Sequence, residues 1–183
     1  MEKYILKKEN AVLIVVDIQE RLAVAMSGKD RVIANTQHLI EAARLLRLPL
    51  LVTEQYPKGL GPTVAEIKDA LTGYAPIEKI TFSCCGETSF LDAVAAGGKK
   101  QVILTGMETH VCVLQTCIDL LHAGYDVHVV SDAVCSRSIE NYRTALEYMR
   151  DAGAVITCTE TVLFQLLEKA GSDEFKAISR RIK

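Results

Sequence analysis

The chain has 183 residues, a formal net charge of −2 and 49% hydrophobic residues, a composition typical of a globular protein. No basic block or stripe is present, so the sequence does not support nucleic-acid binding. No apolar run approaches the roughly 20 residues of a membrane helix, and the first residues lack a signal-peptide pattern. We therefore expect residues 1–183 to form one cytoplasmic domain without a membrane partner.

Apolar runs alternate with helical patterns along the chain. The run AVLIVVD at 11–17 is typical of a strand that is buried on both faces. Later apolar runs predict five more strands, at 50–53, 77–80, 101–106, 126–132 and 154–158. Helical periodicity predicts helices at 32–47, 63–71, 88–96, 110–123, 138–151 and 161–169.

Three further segments are less regular. The Pro and Gly content of 54–62 predicts a loop, and the alternation in 126–132 predicts a more exposed strand. The polar tail up to Lys183 fits either a terminal helix or a docking arm. Strands that alternate with helices in this way predict a three-layer α/β/α fold, in which helices cover both faces of a parallel sheet.

The ends of the predicted strands carry the candidate site, because ligands bind beyond the carboxyl ends of parallel strands. Asp17 ends the first strand, Lys79 lies in or near the third, and Cys112 follows the fourth. Taken alone, Asp17 also fits a turn cap, and Lys79 also fits a solvated lysine.

Six cysteines occur without zinc-finger or C-x-x-C spacing, which favours free thiols in a reducing compartment. Cys112 differs from the others, because a helical wheel places it on the polar side of the first turn, whereas Cys117 lies with the leucines. The unpaired N–H groups and the dipole of a first turn lower the pKa of a thiol, so we predict a reactive Cys112 with a depressed pKa. The alternative is a half-exposed bystander or a residue at a subunit contact.

A nucleophilic thiol needs a base, and histidine is the usual one. His110 lies two positions from Cys112 and faces away from it on a helix. The other three histidines fit surface or packing positions. A Cys–His pair is therefore not favoured, and Asp17 and Lys79 are the remaining candidates.

Four segments carry a family resemblance: LIVVDIQERL at 13–22, EKITFSCCGETSF at 78–90, the stretch from VILTGMETHVC to DAVCSR at 102–137, and VTEQYPKGLGPTV at 52–64. Together they resemble the isochorismatase-like cysteine hydrolases, which include nicotinamidases and N-carbamoylsarcosine amidases. The third segment is the most specific. The fourth is most similar to the subgroup of isochorismatase-domain-containing proteins, whose members largely lack an assigned substrate.

The resemblance implies a six-stranded sheet of order 3-2-1-4-5-6 and a role for each candidate residue. Asp17 would be the general base, Lys79 the cationic member and Cys112 the nucleophile, with the three groups titrating as a unit. Cys112 would attack a carbonyl carbon and release ammonia or an amine, which leaves a thioester for water to hydrolyse. A cis Met107–Glu108 peptide is also implied, with the amides of Glu108 and Cys112 as oxyanion donors.

Two departures from the family narrow the expected substrate. The stretch 53–63 lacks the histidines that hold a metal in nicotinamidases, so we expect no metal and no cofactor, and nicotinamide is a weak candidate. True isochorismatases cleave a vinyl ether without needing the cysteine, so Cys112 favours a small amide-like substrate.

Five residues are candidates for the substrate pocket, and each also fits an ordinary structural role. For Glu108, pairing with Arg137 is the favoured interpretation. The five candidates are Gln19, Gln55, Tyr56, Phe82 and Glu108.

Other readings of the sequence stay open at this point. The same site fits a vinyl ether or ester hydrolase. Oxidation of Cys112, with Cys117 or Cys85 as the resolving thiol, fits a redox-responsive protein, and a scaffold without turnover also fits the fold. The family usually assembles through helices that flank the sheet, so a homo-oligomer, a dimer or a tetramer, is implied. The segment 161–167 fits either its interface or the core.

Overall fold

A computed structural model describes residues 2–183. Six parallel strands form one sheet in the order β3-β2-β1-β4-β5-β6, so the predicted fold class and strand order are confirmed. The strands are β1 Ala11–Val16, β2 Leu50–Gln55, β3 Ile77–Lys79, β4 Gln101–Met107, β5 Asp126–Cys135 and β6 Val155–Thr157.

Helices connect the strands and cover both faces of the sheet. Within residues 2–183, none of the helices is long and apolar enough to cross a membrane. They are α1 Glu20–Val24, α2 Lys29–Leu46, α3 Pro57–Leu60, α4 Ala65–Lys68, α5 Thr88–Ala96, α6 Leu114–His122, α7 Ile139–Asp151, α8 Thr159–Leu167 and α9 Asp173–Arg181. Short 3₁₀ turns occupy Glu2–Tyr4, Lys8–Asn10 and Cys84–Gly86, and a π-helical turn, Thr109–Val113, precedes α6.

The central strand β1 is buried along its whole length, because alternate side chains enter the two cores. Leu13 and Val15 pack into the core that contains residues of α2, α8 and α9. Val12 and Ile14 pack into the core that contains residues of α5, α6 and α7. The run is apolar at every position because both faces of the strand are covered, as the sequence pattern predicts.

Several sequence expectations need correction. The predicted exposure of the fifth strand is wrong, because β5 is paired on both edges and buried over most of its length. The predicted loop at 54–62 begins with the last two residues of β2 and contains the short helix α3. The polar tail folds as α9, and the 161–167 segment is mostly core, with Val162, Leu163, Leu166 and Leu167 buried.

The strand register brings the candidate residues to one edge of the sheet. Val16, the last residue of β1, is paired with Thr53 of β2 and with Gly106 of β4. Lys79 ends β3 and is paired with Gln55. The carboxyl ends of the four adjacent strands thus meet around Asp17, which follows Val16 directly.

Candidate active site

Asp17 leaves β1 in the left-handed conformation, with φ 51°, which aspartate tolerates better than most residues. Its side chain is fully buried, and Oδ1 accepts a hydrogen bond of 2.7 Å from the Thr53 hydroxyl. The Asp17 amide donates to the Thr53 carbonyl at 3.2 Å. Thr53 therefore holds both the backbone and the carboxylate of Asp17.

Lys79 is a buried cation whose charge is balanced by Asp17. Its Nζ lies 2.7 Å from Asp17 Oδ2, and neither side chain is exposed. Nζ donates hydrogen bonds to Gln55 Oε1 at 2.7 Å, to the Phe82 carbonyl at 3.0 Å and to the Thr81 carbonyl at 3.2 Å. An ammonium group has three N–H donors, so Asp17 and these three acceptors together leave none free.

This arrangement has consequences for both charges. Burial, the largest single influence, lowers the pKa of Lys79, but the Asp17 carboxylate together with the Cys84 and Cys112 side chains more than offsets it, and the pKa of Lys79 is raised. Asp17 Oδ2 lies 2.7 Å from Lys79 Nζ, and the Cys112 thiol also lies within hydrogen-bonding reach of the Asp17 carboxylate. Lys79 thus places a positive charge against the carboxylate that faces the thiol.

Cys112 lies in the π-helical turn Thr109–Val113, which follows β4. The Val113 amide donates to the Glu108 carbonyl at 3.2 Å, a bond that spans five residues and widens the turn. The Met107–Glu108 peptide is cis. Cys112 is only 5% exposed and belongs to the core cluster around α5, α6 and α7.

The expected depression of the Cys112 pKa is wrong. Burial raises the pKa of this thiol, the Asp17 carboxylate raises it further, and Lys79 offsets only part of the increase. The helical wheel wrongly separates Cys112 from the leucines, because Cys112 lies in a π-helical turn and is buried in the same core as Cys117 and Leu120. The resting group is therefore a neutral thiol beside a carboxylate.

Gln19 and Gln55 support the site through hydrogen bonds to the surrounding protein. Gln19 binds the Gln55 backbone in both directions, at 2.8 and 3.0 Å, and donates to the Gly61 carbonyl at 2.6 Å. The side-chain nitrogen of Gln55, Nε2, donates to the Ile80 carbonyl at 2.7 Å, and this bond turns Oε1 of Gln55 toward Lys79. Both side chains are thereby committed to protein partners.

Tyr56 and Phe82 contribute backbone rather than ring contacts to Lys79. The Tyr56 amide donates to the Lys79 carbonyl at 2.9 Å, and the Phe82 carbonyl accepts from its ammonium group. Their rings are 51% and 55% exposed. A role for these rings as pocket walls stays a prediction.

Glu108 pairs with Arg137, as the favoured interpretation states. Its carboxylate accepts bonds from the Arg137 amide at 3.0 Å and from Nε at 3.1 and 3.2 Å. The nearby His110 contacts the Ser136 hydroxyl through Nδ1 at 2.9 Å. These contacts connect the π-helical turn to the loop between β5 and α7. They also give His110 a structural partner, so it does not serve as the base.

Two residues at the site were missed at the level of sequence. Thr53 carries a usable signal, since it ends the predicted second strand and must therefore lie beside Asp17 in a parallel sheet. Cys84 carries none, because it follows β3 in an irregular segment. Its Sγ donates to Thr53 Oγ1 at 3.7 Å.

The described residues contain no cluster of three or more His, Cys, Asp or Glu side chains that could hold a metal ion. The site is instead built from one carboxylate, one ammonium group and buried thiols, at the carboxyl edge of a doubly wound parallel sheet. That combination of fold and site defines the class of protein, an α/β protein with an Asp–Lys–Cys cluster at its strand ends.

The chain belongs to the isochorismatase family, because the family profile described as Isochorismatase domain matches residues 11–161. A secreted isochorismatase effector of Phytophthora sojae is 45% identical over 178 residues, which cover 95% of this chain and 85% of the effector.

Three solved structures share the whole fold. The MAR1 ribonuclease of Caenorhabditis elegans is 41% identical, with a TM-score of 0.91, over 97% of this chain and 91% of that one. YcaC from Pseudomonas aeruginosa, with hexane-2,5-diol and covalent acrylamide, is 30% identical, with a TM-score of 0.91, over 97% and 91%. YcaC of Escherichia coli, described as an octameric hydrolase of unknown specificity, is 27% identical, with a TM-score of 0.90, over 97% and 90%. The chain thus has the hydrolase fold of this family.

Proposed function

We propose that the protein hydrolyses a small amide-like metabolite without a metal, with Asp17, Lys79 and Cys112 as its catalytic residues. The observation that carries the proposal is the buried Asp17–Lys79 pair, 2.7 Å apart, with the Cys112 thiol within hydrogen-bonding reach of the carboxylate. Because the thiol is neutral at rest, Cys112 needs a proton acceptor during the attack, and Asp17 is the group beside it.

The reaction then proceeds in two balanced halves. Asp17 takes the thiol proton as Cys112 sulfur bonds to the carbonyl carbon, and the C–N bond breaks as that proton passes to the leaving amine. The products of this half are ammonia or an amine and a thioester on Cys112. Asp17 next accepts a proton from water, whose oxygen attacks the thioester, and the thiol is restored as the carboxylic acid leaves.

Lys79 acts by electrostatics in this scheme. Its N–H groups face Asp17, Gln55 and the carbonyls of Thr81 and Phe82, so none is left to bind the substrate. Its fixed charge favours the negative charge that develops on the sulfur as Asp17 takes the thiol proton. The backbone amides of Glu108 and Cys112 are the proposed donors to the oxyanion.

Two neighbours inform the choice of substrate class. Acrylamide is a thiol-reactive electrophile small enough for such a site, and its covalent presence in YcaC from Pseudomonas aeruginosa supports a reactive nucleophile here. The ribonuclease name belongs to the Caenorhabditis elegans protein, and the net charge of −2 in this chain does not favour RNA. The octameric Escherichia coli neighbour supports a homo-oligomer for this chain. A cytoplasmic location stays a prediction beside the secreted relative.

A screen for ammonia release tests the proposed function. We expect the wild-type protein to release ammonia from at least one small amide or ureide, and Cys112→Ala to reduce that release to background. Cys117→Ala is the matched control, since this thiol is also buried and its pKa is raised to about 12 by burial. Equal turnover by wild type and Cys112→Ala would remove the covalent mechanism, and cleavage of RNA but no amide would remove the substrate class.

A further inference from the structure

We infer that Thr53 and Cys84 are positioning residues that orient the Asp17 carboxylate for proton transfer, an inference that rests on the proposed function. The three side chains form a chain of hydrogen bonds away from the reacting sulfur. Cys84 Sγ contacts Thr53 Oγ1 at 3.7 Å, and Thr53 Oγ1 contacts Asp17 Oδ1 at 2.7 Å. All three residues are completely buried.

The direction of each proton in this chain follows from the chemistry of the groups. An ionised carboxylate has no hydrogen to donate, so the single proton of the Thr53 hydroxyl must point to Asp17. The Thr53 oxygen can then only accept, and Cys84 must be the donor. Burial raises the pKa of Cys84 to about 12, so this thiol keeps the proton that it donates.

This chain determines which oxygen of Asp17 takes part in proton transfer. Oδ1 accepts the hydrogen bond of the Thr53 hydroxyl, and Oδ2 lies 2.7 Å from Lys79 Nζ. These two contacts fix the plane of the carboxylate, and with it the oxygen that receives the Cys112 proton. Loss of Thr53 would leave only the Lys79 contact, about which the carboxylate could rotate.

Cys84 is itself held against the helix that carries the nucleophile. The Cys84 amide donates to Thr116 Oγ1 at 2.9 Å, and Thr116 is buried. Thr116 lies four residues after Cys112, so the two share one face of the helix. The 3₁₀ turn Cys84–Gly86 thus connects the end of β3 to the Asp17 carboxylate and to the helix of Cys112.

The hydrogen bond from the Thr53 hydroxyl fixes the orientation of the Asp17 carboxylate, so Thr53→Val loosens the group that receives the Cys112 proton. We expect the reaction of Cys112 to slow about tenfold, the effect of one hydrogen bond to a charged group.

The rate of acrylamide addition to Cys112, followed by peptide mass spectrometry, measures this effect without a known substrate. Thr53→Ser keeps the hydroxyl and should restore the wild-type rate. Cys84→Ala should slow the reaction less than Thr53→Val, and Cys84→Ser should slow it less still, because serine also donates. Thr36→Val is the matched control, since the Thr36 hydroxyl is buried and has no hydrogen-bond partner among the described residues.

The outcomes separate this inference from the proposed function. A Thr53→Val rate that is unchanged, or a Thr53→Ser rate as slow as that of Thr53→Val, overturns the positioning role, because serine keeps the hydroxyl and loses only the methyl packing. Acrylamide addition to Cys112 that does not slow in Asp17→Asn overturns the proposed function instead, whatever Thr53→Val does. Thermal unfolding of each variant identifies any that fails to fold.

Discussion

Asp17→Asn should lower amide turnover by about 10²- to 10⁴-fold, the range that loss of a positioned general base produces. The asparagine keeps the size of the side chain but cannot accept the Cys112 proton. It also leaves the Lys79 ammonium group buried without its counter-charge, which costs about 3–5 kcal/mol of unfolding free energy. Turnover by ammonia release and stability by urea unfolding measure the two effects separately.

A second variant separates the loss of the base from the loss of stability. In Asp17→Asn combined with Lys79→Met, both buried charges are gone, so we expect the stability to recover while the turnover stays lost. Asp92→Asn, which removes the same charge at an exposed position of α5, is the matched control. Turnover that recovers with stability in the double variant would show that Asp17 acts only in folding.

Gly106→Ala should destabilise the fold by at least about 3 kcal/mol and abolish turnover. Gly106 has φ +126°, and a Cβ atom at this position would overlap the carbonyl oxygen of Val16 on the neighbouring strand. That contact lies at the end of β1, directly before Asp17, so relief of the overlap must separate the strands at the site. Rotation of the alanine side chain could relieve neither the strain of the backbone angle nor the overlap with Val16.

Gly124→Ala is the control for the cost of the left-handed backbone conformation alone. Gly124 has φ +86° but no atom within 4 Å of an added Cβ, so only the cost of a left-handed alanine, about 1–2 kcal/mol, applies. Urea unfolding of the two variants gives the difference. Equal losses of unfolding free energy would mean that the Val16 contact does not constrain the sheet.

The parallel sheet is predictable from sequence because its signal is local. The run at 11–17 is apolar at every position before Asp17, which only a doubly covered strand requires. The helices between the predicted strands then leave few possible topologies for the sheet. The convergence of Asp17, Lys79 and Cys112 follows from the same pattern, since each lies at a strand end. Their chemical roles stay proposals that rest on the resemblance and on the observed contacts.

The remaining features depend on tertiary contacts that a sequence pattern does not contain. The pKa of Cys112 is expected to fall if the first turn of a helix is considered alone, but burial and the Asp17 charge reverse the direction. The π-helical turn contains one more residue than an α-helical turn, and this extra residue changes the direction of the segment that carries Cys112. Cys84 reaches Thr53 only because the irregular segment after β3 folds back against α6.

The reaction of acrylamide with the intact protein tests the central claim most directly, because it reports the activation of Cys112 by Asp17 without requiring the natural substrate. We predict a single early adduct, mapped to Cys112 by peptide mass spectrometry, that forms at least about tenfold more slowly in Asp17→Asn. Early adducts on the more accessible Cys85 and Cys158, or a Cys112 adduct that forms equally fast in Asp17→Asn, would contradict the account.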